Sequence, residues 1–169
     1  MGITTYDLEW LGRMMDKVDI PMEWCRMCEL GNQWLRDPPM SAKAYFTSLG
    51  VDHTSIDLNG KDGALPLDLG TTEPFERYRE RFDVVTNFGT LEHIEADTVC
   101  MDNIESMCRS GGLMVHVVPL VGNWENHGLR HYDMEFFRKE ATCHDLLDLH
   151  IHDRGRAQSD LVYCAIRKA

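Results

Sequence analysis

Residues 82–94 read Phe82-Asp83-Val84-Val85-Thr86-Asn87-Phe88-Gly89-Thr90-Leu91-Glu92-His93-Ile94. The first half has the pattern of a buried strand, with β-branched residues at Val84, Val85 and Thr86. Gly89 then permits a sharp turn or a close approach to a ligand, and an acid–histidine pair leads into a helix-like segment. A strand, a tight turn and polar side chains in this order indicate the carboxyl edge of an open α/β sheet.

The rest of the chain alternates predicted helices and strands. We predict helices at 5–17, between 33 and 49, and at 73–81, 96–108 and 134–142. The second of these is interrupted by Asp37-Pro38-Pro39, and Ser41 is a suitable cap for its second part. We predict further strands at 26–30, 53–58, 64–69, 113–118, 146–152 and 161–167.

The interval between the predicted strands at 53–58 and 64–69 holds only the turn cluster 59–63, which is too short for a helix with its loops. The second helix of a doubly wound fold is therefore lost or reduced to a turn. We predict one domain, residues 1–169, of the α/β class. It has a Rossmann-like, doubly wound, mostly parallel sheet in a three-layer sandwich, with a reduced second helix.

Composition and charge narrow the class of protein. The 169 residues are 43% hydrophobic, which suits one globular domain with a core. The net charge is −11 without a cluster of Lys and Arg, so a nucleic-acid partner is disfavoured. No apolar run has the length that a bilayer requires, so we expect no membrane partner. Six cysteines without a signal-peptide pattern predict reduced thiols and a cytoplasmic location.

The stretch 82–94 resembles the fourth strand and following loop of class I S-adenosylmethionine (SAM)-dependent methyltransferases, in which FDvv…lEHi recurs. In the first strand, Glu29 and Gly31 match the start of that family's glycine-rich loop. The resemblance implies that they contact the methionine end of SAM. Because other residues replace the later glycines, we expect the side chains of Asn32 and Gln33 to contact the methionine carboxylate instead.

Two further acids match the family's next strands. Asp57 ends the second strand, and its distance along the chain from Gly31 is close to the spacing at which an acid binds a ribose in dinucleotide folds. The resemblance implies that Asp57 accepts hydrogen bonds from the ribose hydroxyls of SAM. The alternative is that Asp57 caps the turn at Asn59-Gly60. We also include Leu58, the next residue, among the residues predicted to bind SAM. At the family's third-strand motif, Asp68 matches the acid that reaches the adenine amino group and Leu69 the residue that flanks the ring.

The loop after the fourth strand completes the predicted cofactor set. Asn87 and Gly89 match positions where the family's loop passes the methionine moiety, and Glu92 follows. We favour three interpretations of Glu92-His93 in this order: loop fixation with Glu92 capping the next helix, general-base catalysis by His93, and metal binding. A metal pattern similar to Glu-x-x-Glu-His of small-RNA methyltransferases is broken by Gly89, so we predict no metal site.

The loop at 119–133 follows the fifth strand and is rich in Trp, His, Asn and Tyr. Such groups at the carboxyl edge of a sheet suit recognition of an acceptor, although Trp124 and Tyr132 are also typical of a loop packed onto a core. The loop resembles the family's P…H…y…F pattern. We predict that His93, His127 or His131 is the catalytic residue that orients the acceptor or removes its proton.

The resemblance covers nearly the whole chain and implies a SAM-dependent methyltransferase with a small-molecule acceptor and SAM as cofactor. The alternative is a protein of the same fold that binds or regulates without methyl transfer, as the depleted glycine loop suggests. A dinucleotide oxidoreductase is disfavoured because Gly-x-Gly-x-x-Gly is missing. Since no inserted lid is evident, we expect an open pocket. Either a neighbouring subunit of a homo-oligomer completes this pocket, or the acceptor is bulky.

Overall fold

The structure, a computed structural model, describes residues 2–72, 75–155 and 158–169. Its helices are α1 (Thr5–Lys17), α2 (Ala42–Ser48), α3 (Asp97–Met107) and α4 (Met134–Glu140). Its strands are β1 (Arg26–Leu30), β2 (Trp34–Arg36), β3 (Pro39–Ser41), β4 (Asp52–Ile56), β5 (Phe82–Phe88), β6 (Cys108–Pro119), β7 (Asp145–His152) and β8 (Leu161–Arg167). Short 3-10 turns lie at Lys61–Gly63, Phe75–Tyr78, Leu91–His93 and Ala141–Cys143.

Six strands form one sheet in the order β4-β1-β5-β6-β8-β7. Neighbouring strands from β4 to β6 are parallel, and β8 runs antiparallel between β6 and β7. The predicted mostly parallel, doubly wound sheet is confirmed. Because β1, β4 and β5 point the same way, the loops that follow them meet at one edge of the sheet.

Helices cover both faces of the sheet. Val85 of β5 belongs to a buried cluster with Ile104 of α3. Its neighbour Val84 points to the other face, where it joins Trp10 of α1 and Phe46 of α2. Burying one such side chain contributes about 1.5–3 kcal/mol, so the two clusters fix which face each strand residue occupies. The three-layer arrangement follows from this alternation.

The stretch 33–41 is a hairpin instead of the first half of a helix. Strands β2 and β3 pair antiparallel, and Leu35 is fully buried between two exposed neighbours, which is the alternation of a strand. The prolines in and beside the turn lack the amide hydrogens that a helix needs. The second half of the prediction is correct: α2 begins at Ala42, and the Ser41 hydroxyl accepts a hydrogen bond from the Ala44 amide at 3.2 Å.

The predicted strand at 64–69 does not form. Leu65 makes a single parallel bridge with Ile56 of β4, through backbone hydrogen bonds of 2.8 Å to Ser55 and 3.0 Å from Asp57. Pro66 follows at once and has no amide hydrogen with which to extend the ladder. The reduction of the second helix is confirmed, since only the 3-10 turn Lys61–Gly63 lies between β4 and this bridge.

The charged helix predicted at 73–81 is a 3-10 turn at Phe75–Tyr78 in its described part. Glu73, where that prediction begins, lies outside the described residues. Glu80 has a φ of +50°, which is incompatible with a right-handed helix, and the chain turns there into β5.

Two expectations from composition concern thiols and membranes. All six cysteines are free, and only Cys143 among them is exposed. Within the described ranges, no helix has both the length and the apolar character needed to span a membrane.

Asp83, near the start of β5, joins the amino ends of three strands. Its carboxylate accepts hydrogen bonds from the Arg26 amide at 2.8 Å, from the Arg26 guanidinium at 3.1 Å and from Arg109. Burial opposes ionisation of Asp83, but the bonds from Arg26 and Arg109 outweigh it and hold its pKa at about 2. This folded-state pKa lies below that of the unfolded chain. The stabilisation is therefore present above about pH 4 and is lost as the pH falls towards 2.

We expect Asp83→Asn to lower the free energy of unfolding by about 1 kcal/mol at pH 7, a value discounted for the exposure of both arginines. The difference from the wild type should shrink between pH 4 and pH 2, as urea denaturation at both pH values will measure. Asp145→Asn is the matched control, because Asp145 is 69% exposed and lies 3.9 Å from Arg167. An equal loss in the two variants contradicts the role of Asp83.

Candidate functional site

Three loops, 31–33, 57–60 and 89–94, meet where β1, β4 and β5 end. Backbone bonds anchor them to the sheet: the Gly31 amide donates to the Ile56 carbonyl at 2.8 Å, and the Gly89 amide donates to the Val117 carbonyl at 2.9 Å. A cavity of about 250 Å³ lies between the loops. It is lined by Gly31, Asn32, Gln33, Asp57, Leu58, Leu67, Asp68, Leu69, Gly89, Thr90, His93 and Ile94. Most of the predicted cofactor set is therefore brought together here.

Gly31 is required at the first turn for two reasons. Its φ is +81°, a conformation that side chains disfavour. A Cβ at this position also meets Gln33 Nε2 and Thr90 Oγ1, each at 2.6 Å. The absence of a side chain thus allows the loops after β1 and β5 to approach each other beside the cavity.

Asp57 bridges two of the loops. Its Oδ2 accepts a hydrogen bond from the Asn32 amide at 2.8 Å, and its Oδ1 accepts one from the Asn59 amide at 2.9 Å. The second bond is the turn cap that the sequence offered as an alternative to ribose binding. A carboxylate has about four acceptor positions, so these two bonds leave Asp57 able to accept more.

The polar side chains that replace the family's glycines hold the loops in place. Asn32 Nδ2 donates to Asp62 at 2.9 Å. Gln33 Nε2 donates to the Thr90 hydroxyl at 3.1 Å, and this hydroxyl donates to the Leu30 carbonyl at 2.7 Å. Thr90 was not predicted from the sequence, because a threonine in a loop carries no signal of its partner. Both amide side chains still line the cavity.

The opposite wall is formed by residues 67–69 and their neighbours. Leu67 and Leu69 line it with Leu58 and Ile94, and so give the cavity an apolar side. Asp68 is exposed at its rim, where Oδ1 accepts a hydrogen bond from the Gly70 amide at 2.9 Å. An apolar wall beside one acceptor is suited to an aromatic ring with an amino group.

Three residues of the predicted cofactor set, Glu29, Asn87 and Glu92, lie fully buried and outside the cavity lining. Glu29 Oε2 lies 3.5 Å from the Gln33 amide and 3.7 Å from His53 Nε2, and burial raises the pKa of Glu29 to about 8. Asn87 Oδ1 accepts hydrogen bonds from the amides of Thr90 and the following residue. In this structure Glu29 contacts the backbone of the loop after β1, and Asn87 bonds the backbone of the loop after β5.

The predicted catalytic histidines divide between two places. His93 lines the cavity, and its ring centre lies 4.9 Å from that of His127. His131 lines a separate cavity with Asp97, although its Nε2 lies 2.9 Å from the His127 carbonyl oxygen. The rings of His93 and His127 are therefore in contact at the site, whereas His131 contacts the backbone of His127. The sequence does not distinguish His127 from His131, because both lie in the same polar loop.

Glu92 lies beneath these two histidines and does not cap the next helix, whose N-cap is Ala96. Its carboxylate is fully buried, with Oε1 at 3.9 Å from His93 Nε2 and 3.6 Å from His127 Nε2. Burial raises the pKa of Glu92 to about 7 and lowers the pKa of both histidines. His116, a fully buried strand residue, lies with Nδ1 3.3 Å from Asn87 Nδ2 and packs against Phe137 of α4.

No protein-family model and no curated protein matches the sequence. Solved structures with a similar fold include several class I SAM-dependent methyltransferases, and this chain has their fold. One is 1,6-didemethyltoxoflavin-N1-methyltransferase from Burkholderia thailandensis, with a TM-score of 0.69 and 16% identity over 94% of this chain and 76% of that one. NodS from Bradyrhizobium japonicum WM9 has a TM-score of 0.66 and 14% identity over 98% of this chain and 88% of that one. TehB from Haemophilus influenzae has a TM-score of 0.66 and 15% identity over 94% of this chain and 62% of that one.

We expect Gly31→Ala to lower the free energy of unfolding by about 2–3 kcal/mol, through strain at positive φ and contact with Gln33 and Thr90. Gly122→Ala is the matched control. Gly122 has a φ of +78° but nothing within 4 Å of an added Cβ, so it should lose only about 1 kcal/mol. Urea denaturation compares the two variants, and equal losses rule out the close approach as a constraint.

Proposed function

We propose that this chain is a SAM-dependent methyltransferase that transfers a methyl group to a small-molecule acceptor. One observation carries the proposal: the cavity gathers Gly31, Asp57, Asp68 and Gly89, which the sequence resemblance assigns to different parts of one cofactor. The toxoflavin methyltransferase and NodS, which share the fold, were crystallised with S-adenosylhomocysteine, the demethylated form of SAM.

The residues present suit the cofactor. Asp57 offers acceptors to the ribose hydroxyls, Asp68 offers one to the adenine amino group, and Leu69 offers an apolar surface to the ring. Asn32 and Gln33 line the cavity next to Gly31, which the resemblance assigns to the methionine end of SAM. Bound SAM supplies an electrophilic methyl group, so the task of the chain is to hold it in line with the acceptor.

The charge of the cavity favours SAM over a dinucleotide. Its lining includes the carboxylates of Asp57 and Asp68 and no Lys or Arg among the residues described there. SAM carries a sulfonium and an ammonium against one carboxylate, whereas a dinucleotide carries a pyrophosphate that two nearby carboxylates repel. The sequence contains no Gly-x-Gly-x-x-Gly to compensate.

His93 and His127 are the residues that we place next to the methyl acceptor. His93 lies at the cavity wall beside Gly89 and Thr90, and His127 is its neighbour on the loop after β6. We assign these two, and not His131, to orienting the acceptor or removing its proton. A cytoplasmic location and a homo-oligomer that completes the open pocket stay predictions.

A second candidate is a protein of this fold that binds SAM without transferring its methyl group. It is favoured by the engagement of Asn32 with Asp62 and of Gln33 with Thr90, which occupies the amide donors expected to contact the cofactor. Incubation with SAM and a panel of small amine, hydroxyl and thiol acceptors separates the two. Release of S-adenosylhomocysteine supports the enzyme, and SAM binding without release on any acceptor supports the binding protein.

We expect Asp57→Ala to weaken SAM binding by about 1–3 kcal/mol, because hydrogen bonds to a charged group are lost. Isothermal titration calorimetry measures this, and thermal unfolding checks that the loops stay folded. Asp52→Ala is the control, since Asp52 is exposed at the start of β4, whereas Asp57 follows the end of this strand. Unchanged affinity of Asp57→Ala removes Asp57 from the site, and the absence of SAM binding by the wild type refutes the proposed function.

On an acceptor that supports turnover, we expect His127→Ala to lower the rate by about 100-fold or more while SAM affinity is kept, because His127 does not line the cofactor cavity. His131→Ala, in the separate cavity, should keep most of the rate. Initial rates and calorimetry on both variants provide the comparison. A loss confined to His131→Ala reverses the assignment.

A further inference from the structure

Glu92, to which the proposed methyl transfer gives no role, forms a cluster with His93 and His127. Each offers one metal-binding atom, and the three atoms lie within 4.8 Å of one another. Tetrahedral ligands at bond lengths of about 2.0–2.2 Å lie roughly 3.3–3.6 Å apart. The two distances from Glu92 Oε1, 3.6 and 3.9 Å, are near this separation, so small side-chain rotations bring all three atoms into reach of one ion.

The carboxylate of Glu92 lacks partners that explain its burial. It is fully buried, and neither of its oxygens accepts a hydrogen bond from any residue in the described part of the chain. Nε2 of His127 is also buried and unpaired there. A buried carboxylate without donors is costly, and such groups in native proteins are paired or coordinate metals.

The backbone holds this cluster together from two distant parts of the chain. The Glu92 carbonyl accepts hydrogen bonds from the amides of Leu129 and Arg130, at 2.6 and 3.3 Å. Between them and His127 lies Gly128, at which a Cβ falls 2.9 Å from Glu92 Cγ. The loop after β6 is therefore fastened directly over Glu92, and this places His127 beside His93.

In place of the absence of a metal site that the sequence predicted, we propose that Glu92, His93 and His127 bind a divalent transition-metal ion at the edge of the cofactor cavity. Two imidazoles and one carboxylate suit zinc and its first-row neighbours, whereas Mg²⁺ and Ca²⁺ prefer oxygen ligands alone. His93 is 47% exposed and lines the cavity, so coordination positions on that side stay open. Metal binding by these residues does not depend on the proposed methyl transfer. Only the role of the open coordination position, which is to hold an oxygen or nitrogen of the acceptor, rests on the proposed function.

The test is a titration of untagged, EDTA-treated full-length protein with Co²⁺ in the absence of SAM. We expect one equivalent to bind, with visible absorption bands typical of cobalt held by nitrogen and oxygen ligands. Glu92→Gln and His127→Ala should each weaken binding at least about tenfold, the smallest loss typical of disturbed metal sites. Glu92→Gln keeps the shape of the side chain, and thermal unfolding checks that both variants are folded.

A matched control comes from a second acid–histidine pair at the surface. His144 Nε2 lies 3.5 Å from Glu105 Oε1, next to the exposed thiol of Cys143. We expect His144→Ala to keep the wild-type affinity. The proposal is overturned if the wild type binds no more tightly than Glu92→Gln, or if His144→Ala alone abolishes binding. Calorimetry with SAM in EDTA is run separately, so failure of the proposed function is distinguished from failure of the metal site.

Discussion

The carbonyl oxygen of Leu30, at the end of β1, accepts a hydrogen bond of 2.7 Å from the hydroxyl of Thr90. Parallel strands cannot be joined by tight hairpins, so the loops at their carboxyl ends come from distant parts of the chain and need such bonds to meet. The bond from Gly31 to Ile56 joins the next loop in the same way. With Asp57 between them, these contacts turn three strand ends into one cavity, and the proposed site depends on all of them.

The sheet is largely predictable from sequence because its strands and helices carry a strong periodicity. Helix α1 and strands β1 and β8 have the predicted bounds, since burial of alternating residues fixes both the element and its face. Prediction fails where tertiary contacts override the local pattern. Leu35 is drawn into the core and makes a hairpin of a stretch that resembles a helix, and Pro66 stops a strand that its apolar neighbours favour.

The site is less predictable than the fold, because a motif gives the position of a residue and not the direction of its side chain. In β1, Cys28 and Leu30 point to the face covered by α3, so Glu29 between them points to the opposite face, and it does not line the cavity. The pairing of Glu92 with His127 has no sequence signal either. It follows from hydrogen bonds between the Glu92 carbonyl and the loop after β6, which no spacing reveals.

The failure of residues 64–69 to form a strand leaves β4 at the edge of the sheet. An edge strand presents unpaired backbone groups, which invite association with a strand of another molecule. This one has only five residues, begins with the exposed charge of Asp52, and is met on its open side by a segment that contains Pro66. Short length, charge and proline are features by which natural sheets resist edge-to-edge aggregation. The segment with Pro66 that fails to form a strand therefore also makes this edge a poor template for strands of other molecules.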